Sequence, residues 1–171
     1  MPTYHILLGG NEGDVDATMA EALERLSALG RVGRVSHVVE SRAWGYESPL
    51  AYHNVAAELS TEMAPQPLLA ALQRVERELG RRAKTTAASG YQDRPIDIDI
   101  LLCGAAVVDE PGLQIPHPRL HLRRFALAPL AEIAASAVHP KLGKSVGELL
   151  DECEDGGQVV VTGSLRKAHP A

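Results

Sequence analysis

The chain has 171 residues, of which 45% are hydrophobic and 23% charged, a composition typical of one globular domain with a substantial core. Its formal net charge of −5 argues against general binding to nucleic acid or to a membrane surface. Cys103 and Cys153 lack metal-ligand spacing and are too few for a disulfide scaffold, so we predict buried thiols in a reducing compartment. With no leader pattern and no apolar run of membrane-spanning length, the sequence predicts a cytoplasmic protein.

The first half of the chain predicts strand, helix, strand, strand and helix in that order. The hydrophobic spacing places these elements at 3–8, 15–29, 31–41, 54–62 and 65–79. The glycine-rich turn after the first strand lacks the Gly-Lys-Ser/Thr of a phosphate loop, and Glu12 and Asp14 lie where phosphate would bind, so we reject that interpretation. Residues 43–50 contain turn formers and Trp44, which predicts a loop with an exposed aromatic side chain.

The fourth predicted strand is the most informative stretch. Ile96, Ile98 and Ile100 alternate with Asp97 and Asp99, so the two carboxylates point to the same face of a strand. Their Cβ atoms would be roughly 6 to 7 Å apart, which suits neighbouring hard cations better than a hydrogen-bonded acid/base pair. A solvated strand face with ordinary alternation is the other interpretation of this pattern.

Basic and histidine residues surround that strand in the sequence. A basic stretch at 81–94 precedes it, and further arginines lie between 119 and 124. Such runs are usually solvated surface, but cations beside paired carboxylates are what phosphate binding needs. His117 and His121 have the spacing of a helical metal pair, yet Pro118 makes a helix there doubtful, so we interpret them first as donors to phosphate or hydroxyl groups.

The remaining C-terminal elements are shorter. We predict a hairpin through 104–108, an extended segment at 113–118, helices at 125–133 and around 146–150, and an apolar run at 159–161 before a frayed end. The whole order predicts an α+β fold with a ferredoxin-like βαββαβ core, an antiparallel sheet with its helices packed on one face, and C-terminal additions. In that arrangement we expect the first and fourth strands at the centre and a groove on the other face that only loops cover.

Several motifs, in their order and spacing, resemble the 6-hydroxymethyl-7,8-dihydropterin pyrophosphokinase family over residues 4–152. The motifs are Arg94-Pro95-Ile96-Asp97-Ile98-Asp99-Ile100, then Ile115-Pro116-His117-Pro118 and 123–130, with Gly9–Asn11, Tyr52, Asn54 and Gln73–Glu76 before them. The resemblance implies one domain over 1–171, with the tail at 156–171 unassigned. It also implies transfer of pyrophosphate from ATP to the pterin hydroxymethyl group, with release of AMP.

The resemblance also implies roles for individual residues. Catalytic roles fall to Asp97, Asp99, Arg81 and Arg94, and the two aspartates would hold two Mg²⁺ ions. The expected ATP contacts are Gln73, Glu76, Arg81, Arg82, Lys84, Arg94, Ile100, His117 and Arg123. The expected pterin contacts are Ser41, Arg42, Trp44, Tyr52, Asn54 and Phe125. The implied partners are small molecules, without nucleic acid or membrane, and we expect a monomer.

The sequence departs from the family pattern at several positions, and two other classes of function also remain open. Tyr91-Gln92-Asp93 stands where the family commonly has Trp-Gly-Pro, Ala83 stands where a loop arginine is often found, and Gly10 replaces a frequent serine. One alternative is a different Mg²⁺-dependent nucleotide phosphotransferase, and the other is a catalytically silent ferredoxin-like binding module.

Overall fold

The computed structural model describes residues 1–80 and 93–165. The expectations for Arg81, Arg82, Lys84 and Tyr91 therefore lie outside the described residues. The strands and helices are β1 (Thr3–Gly10), α1 (Val15–Leu26), β2 (Arg31–Val35), β3 (Val38–Ser41), β4 (Tyr52–Ser60), α2 (Pro65–Glu78), β5 (Asp97–Cys103), β6 (Val108–Glu110), β7 (Leu113–Ile115), α3 (Arg124–Ala134), α4 (Val146–Glu152) and β8 (Val160–Gly163).

The main sheet has the order β5-β1-β4-β3-β8, with β2 also paired to β4, and every pairing in it is antiparallel. The expected α+β fold with an antiparallel sheet is confirmed. The first predicted strand, β1, is interior as expected, because it lies between β5 and β4. The expectation that the fourth predicted strand is also central is wrong, because that strand is β5, which pairs with β1 alone among the described strands and lies at an edge. The carboxylate strand thus has one side open to other parts of the chain.

The predicted second strand is two strands, interrupted at Ser36. The Ser36 amide donates to the carbonyl of Ala56 at 2.9 Å, and the Ser36 hydroxyl accepts from the amide of Ala56 at the same distance. The hydroxyl also donates to the His37 carbonyl at 2.8 Å. The Ser36 hydroxyl therefore takes the place of a main-chain acceptor. The register of β3 against β4 is shifted relative to the register of β2 against β4.

Helices cover both faces of the sheet, contrary to the expected groove covered by loops alone. On one face α1 and α2 pack on residues such as Ile6, Leu8 and Val55. On the other face α3 and α4 pack against Leu7 and Ala56. The additions after β5 therefore build a second core and leave only part of that face for a site.

The C-terminal segment is more ordered than the sequence suggested. β8 pairs with β3, and the Arg124 guanidinium donates to the carbonyls of Cys153 and Asp155, each at 2.9 Å. The predicted hairpin through 104–108 is also misplaced, because β6 pairs with β7 around a turn that contains Gly112 at φ 77°. Cys103 and Cys153 are free, but they are partly rather than fully buried.

Among residues 1–80 and 93–165, no helix has the length and apolar character needed to cross a membrane.

The turn between α3 and α4 contains a buried histidine, His139, whose titration should affect the stability of the fold. His139 is 4% exposed, and its Nδ1 accepts from the amides of Lys141 and Leu142 at 3.3 and 3.1 Å. Burial, and then the neighbouring His121, lower the pKa of His139 in the folded chain. Since an unfolded histidine has a pKa of about 6.5, the unfolded chain binds more protons below that pH, and the free energy of unfolding should fall as the pH drops from about 6.5.

We expect His139→Asn to flatten this dependence, because the amide oxygen can accept the same bonds without titrating. Urea denaturation between pH 7.5 and 5 measures it. Equal acid dependence in the wild-type and His139→Asn chains would contradict the prediction.

Candidate active site

The face of the sheet that carries α3 also carries the two aspartates and part of the expected pterin site. Gly9 on β1 lies opposite Asn54 on one side and Asp97 on the other, and Leu7 lies opposite Asp99. Residues opposite one another in an antiparallel pair share a face. The pairing therefore brings residues far apart in sequence into one row across the sheet.

Ser41 and Tyr52 are opposite each other on β3 and β4, and Tyr52 is two residues before Asn54. Alternation along the strand puts both on the face of Asn54. The Oγ of Ser41 and the Nδ2 of Asn54 are buried and find no hydrogen-bond partner among the described residues. Since buried polar groups are nearly always bonded, these two atoms indicate a polar ligand at this end of the row.

Gly9 makes room for the Asn54 side chain. A Cβ at position 9 would lie 2.0 Å from Asn54 Oδ1, far inside van der Waals contact. The amide of Asn54 thus lies over the glycine, next to Asp97 in the row. Glycine is required here by the close approach of a neighbouring side chain and not by an unusual backbone angle.

Arg94 precedes the aspartates and is 8% exposed, with a guanidinium nitrogen 3.6 Å from Asp97 Oδ2. Asn11 holds its backbone at two points: the Asn11 amide donates to the Arg94 carbonyl and the Arg94 amide donates to Asn11 Oδ1, both at 3.0 Å. The clamp extends the pairing of β1 with the carboxylate strand. It fixes a cation beside a carboxylate at the entrance of β5.

Glu76 connects α2 to the open edge of β5. The side chain is 2% exposed, and its Oε2 accepts from the amide of Ile98 at 2.8 Å. Because alternate residues of a strand turn their peptide groups to the same edge, the Ile100 peptide faces this edge too. The edge therefore offers main-chain groups to a ligand beside it.

A pocket of about 380 Å³ lies along this edge. Its lining includes Gln73 from α2, Asp99 and Ile100 from β5, and His117. The other lining residues are Leu69, Ile98, Glu110, Gly112, Leu113, Gln114 and Pro118. The volume is in the range of small-molecule sites, and the walls combine apolar side chains with a few polar ones.

Trp44 and Phe125 lie around the guanidinium of Arg123. Its central carbon is 4.6 Å from the Trp44 ring centroid and 5.6 Å from that of Phe125. Trp44 is therefore partly buried, and the expectation of an exposed aromatic in that loop is wrong. The Arg123 Nε is buried without a hydrogen-bond partner among the described residues, so part of this cation is available to an anionic or carbonyl group.

His117 and His121 do not form a helical metal pair. His117 lines the pocket, whereas the His121 ring contacts His139 at 6.5 Å between centroids. Leu120–Leu122 is one turn of 3₁₀-helix and not part of an α-helix. Of the other expected site residues, Arg42 is exposed.

Tyr46 and Asp93 were not expected from the sequence. The Tyr46 hydroxyl donates to Asp93 Oδ1 at 2.9 Å and lies 2.9 Å from the Tyr52 hydroxyl. Asn11 Nδ2 donates to the same carboxylate oxygen at 2.8 Å and to the Tyr46 hydroxyl at 3.2 Å. We call Asn11, Tyr46, Tyr52 and Asp93 the Tyr46 network. The sequence indicated Tyr52 as a pterin contact and Asn11 as part of the Gly-x-Asn turn, but it gave no signal for Tyr46 or Asp93 as site residues.

The donor set suits magnesium. Asp97 and Asp99 are two carboxylates on one strand face, and within 1–80 and 93–165 no group of three His, Cys, Asp or Glu residues could enclose a metal. Mg²⁺ is commonly held by one or two carboxylates together with substrate phosphates and water. The residues present therefore fit an ion that binds with its substrate.

Comparison with known proteins agrees with this arrangement. The family model described as 7,8-dihydro-6-hydroxymethylpterin-pyrophosphokinase (HPPK) matches residues 5–135. The 2-amino-4-hydroxy-6-hydroxymethyldihydropteridine pyrophosphokinase of Porphyromonas gingivalis is 40% identical over 143 residues, covering 82% of this chain and 96% of that one. The Aquifex aeolicus protein of the same name is 36% identical over 152 residues, with 89% and 92% covered.

Among solved structures, wild-type Plasmodium falciparum HPPK-DHPS with pteroate superposes with a TM-score of 0.70 at 13% identity. The match covers 88% of this chain and 44% of that longer one, and it supports the fold. The family model and the two relatives, each matched over most of this chain, show that the chain belongs to the 7,8-dihydro-6-hydroxymethylpterin-pyrophosphokinase family.

Proposed function

We propose that this protein transfers pyrophosphate from ATP to 6-hydroxymethyl-7,8-dihydropterin in folate biosynthesis, giving the pterin diphosphate and AMP. The observation that carries the proposal is the row across the sheet. Asp97 shares a face with Asn54, with Gly9 between them, so a metal-binding pair and an unsatisfied amide are adjacent. An acceptor alcohol held by the amide can therefore lie beside phosphates held at the aspartates.

The nucleotide side is assigned to the open edge of β5. Gln73 and the Ile100 peptide border the pocket, and buried Glu76 holds the strand beside it. His117 lines the same pocket, as does Asp99, and can donate to phosphate oxygens. Arg94 and Arg123 supply fixed positive charge, and the family pattern adds Arg81, Arg82 and Lys84 as further phosphate contacts.

Asp97 and Asp99 would hold two Mg²⁺ ions. When bound, such ions neutralise the phosphate charge and make the β-phosphorus open to attack by the pterin hydroxyl. The chain's own contribution is positioning: the clamp from Asn11 sets the start of β5, and Arg94 stands 3.6 Å from Asp97. A cation so placed offsets the charge of Asp97 and lies where it could also contact a phosphate group.

The pterin side is assigned to the far end of the row. Tyr52 and Phe125 offer aromatic faces for a flat bicycle, and Asn54 and Ser41 offer the buried polar atoms described above. Trp44 stacks on Arg123 at the border of this region, and Arg42 belongs to the same loop. A planar heterocycle with donors and acceptors on its edge matches that combination.

We also infer that the β5-β1-β4-β3 order, with α1 and α2 on one face, is the ferredoxin-like arrangement, and that the chain acts as one domain. A monomer in the cytoplasm, where ATP is available, fits two small-molecule substrates.

The aspartates provide the direct test. Asp97→Asn and Asp99→Asn keep side-chain size but remove a metal-binding charge, so each should lower AMP formation by at least about 10²-fold. The measurement is AMP release from ATP with and without 6-hydroxymethyl-7,8-dihydropterin at saturating Mg²⁺. Asp151→Asn, on the exposed surface of α4, is the matched control and should keep wild-type rates.

Normal turnover in the Asp97→Asn chain would show that the metal lies elsewhere. If the rate of AMP release does not depend on the pterin, the result would favour a phosphotransferase with another acceptor. If the wild-type chain releases no AMP, the result would favour a binding module.

Gly9→Ala tests the floor of the pterin site. The added methyl group would displace the Asn54 amide, so pterin affinity should fall roughly 10- to 100-fold, as expected for 1–3 kcal/mol of overpacking. Titration calorimetry with pterin and a non-hydrolysable ATP analogue measures it. Gly156→Ala, where a Cβ meets nothing within 4 Å, should leave binding unchanged. Full pterin affinity in the Gly9→Ala chain would show that Asn54 is not part of the pterin site.

A further inference from the structure

We propose that Tyr46 is a positioning residue for the pterin: its hydroxyl fixes the Tyr52 ring and connects the 42–50 loop to the start of the carboxylate strand. The inference rests on the proposed function, because it concerns how the same acceptor site is held. Tyr46 itself is assigned no contact with substrate.

The Tyr46 network has only one consistent direction of donation. Hydrogen bonds from Asn11, and next from Ser48, lower the pKa of Asp93, so this carboxylate is ionised at neutral pH and can only accept. The Tyr46 hydroxyl, 2.9 Å away, must give its single proton to Asp93. Its oxygen is then an acceptor, and the Tyr52 hydroxyl at 2.9 Å must donate to it.

Burial raises the pKa of both tyrosines, so both protons stay in place at physiological pH. The two rings also meet edge to face, with centroids 6.4 Å apart and planes at 88°. A hydrogen bond at one end and a perpendicular ring against its side limit the orientations that Tyr52 can adopt. A stacking face that is fixed before binding costs less conformational entropy when the ligand arrives.

The same hydroxyl joins two segments that are distant in sequence. Asn11 donates to both Tyr46 and Asp93, and it clamps the backbone of Arg94, the residue after Asp93. The loop that carries Tyr46 is thereby held against the entrance of β5. Loss of the hydroxyl should disturb the acceptor site and leave the pocket along β5 intact, because that pocket is lined from α2, β5, the β6–β7 hairpin and the segment after it at 117–118, none of which belongs to the Tyr46 network.

The experiment compares two tyrosine hydroxyls. Tyr46→Phe removes the network hydroxyl, and Tyr4→Phe removes a hydroxyl that donates to the Met63 carbonyl at 2.9 Å on the other face of the sheet. Calorimetry gives the Kd of 6-hydroxymethyl-7,8-dihydropterin and of a non-hydrolysable ATP analogue, and thermal denaturation gives Tm. We expect Tyr46→Phe to raise the pterin Kd about 5- to 20-fold with less than a 2-fold change for the analogue.

Tyr4→Phe should lower Tm without changing the pterin Kd. Tyr52→Phe and the double variant complete a cycle. Because both single variants lose the hydrogen bond between Tyr46 and Tyr52, the double variant should bind the pterin about as weakly as the weaker single one.

Three results would overturn the inference: a pterin Kd in Tyr46→Phe no higher than in Tyr4→Phe, equal losses for pterin and analogue, or fully additive effects in the cycle. If the wild-type chain binds no pterin, the proposed function fails. If it binds pterin and Tyr46→Phe binds equally well, the positioning role alone fails.

Discussion

The two hydrogen bonds between Asn11 and the backbone of Arg94 are the interaction on which the rest of the site depends. They join the end of β1 to the entrance of β5. This approach is so close that a Cβ on Gly10 would lie 2.5 Å from the Pro95 carbonyl oxygen, which gives a physical reason for glycine at this position. Without the clamp, the Arg94 backbone would lose the two hydrogen bonds that hold it against the end of β1.

The sheet divides its two faces between stability and chemistry. Ile98 and Ile100 enter the core under α1 and α2, while Asp97 and Asp99 point to the face that α3 covers only in part. Burial of the isoleucines fixes the register of the strand, since a slip of one residue would exchange the faces. The same alternation that builds the core therefore also orients the carboxylates.

Local patterns were enough to predict most helices and strands, the shared face of the aspartates and, through the family resemblance, the residues around Asn54. The position of β5 in the sheet was predicted wrongly, because strand order depends on the pairing of the whole sheet and not on the local pattern of one strand. The break at Ser36 depends on one hydroxyl that replaces a main-chain acceptor. The contact of Tyr46 with Asp93 joins residues 47 positions apart, and nothing in either local sequence indicates the other.

Glu76 has a consequence for the behaviour of the protein in concentrated solution. An exposed edge strand offers unpaired peptide groups to the strands of other molecules and so invites aggregation. Here the buried carboxylate of Glu76 accepts a hydrogen bond from the Ile98 amide, and α2 lies beside β5. The pocket beside the edge can thus remain open while one main-chain donor of β5 is withheld from intermolecular β-pairing.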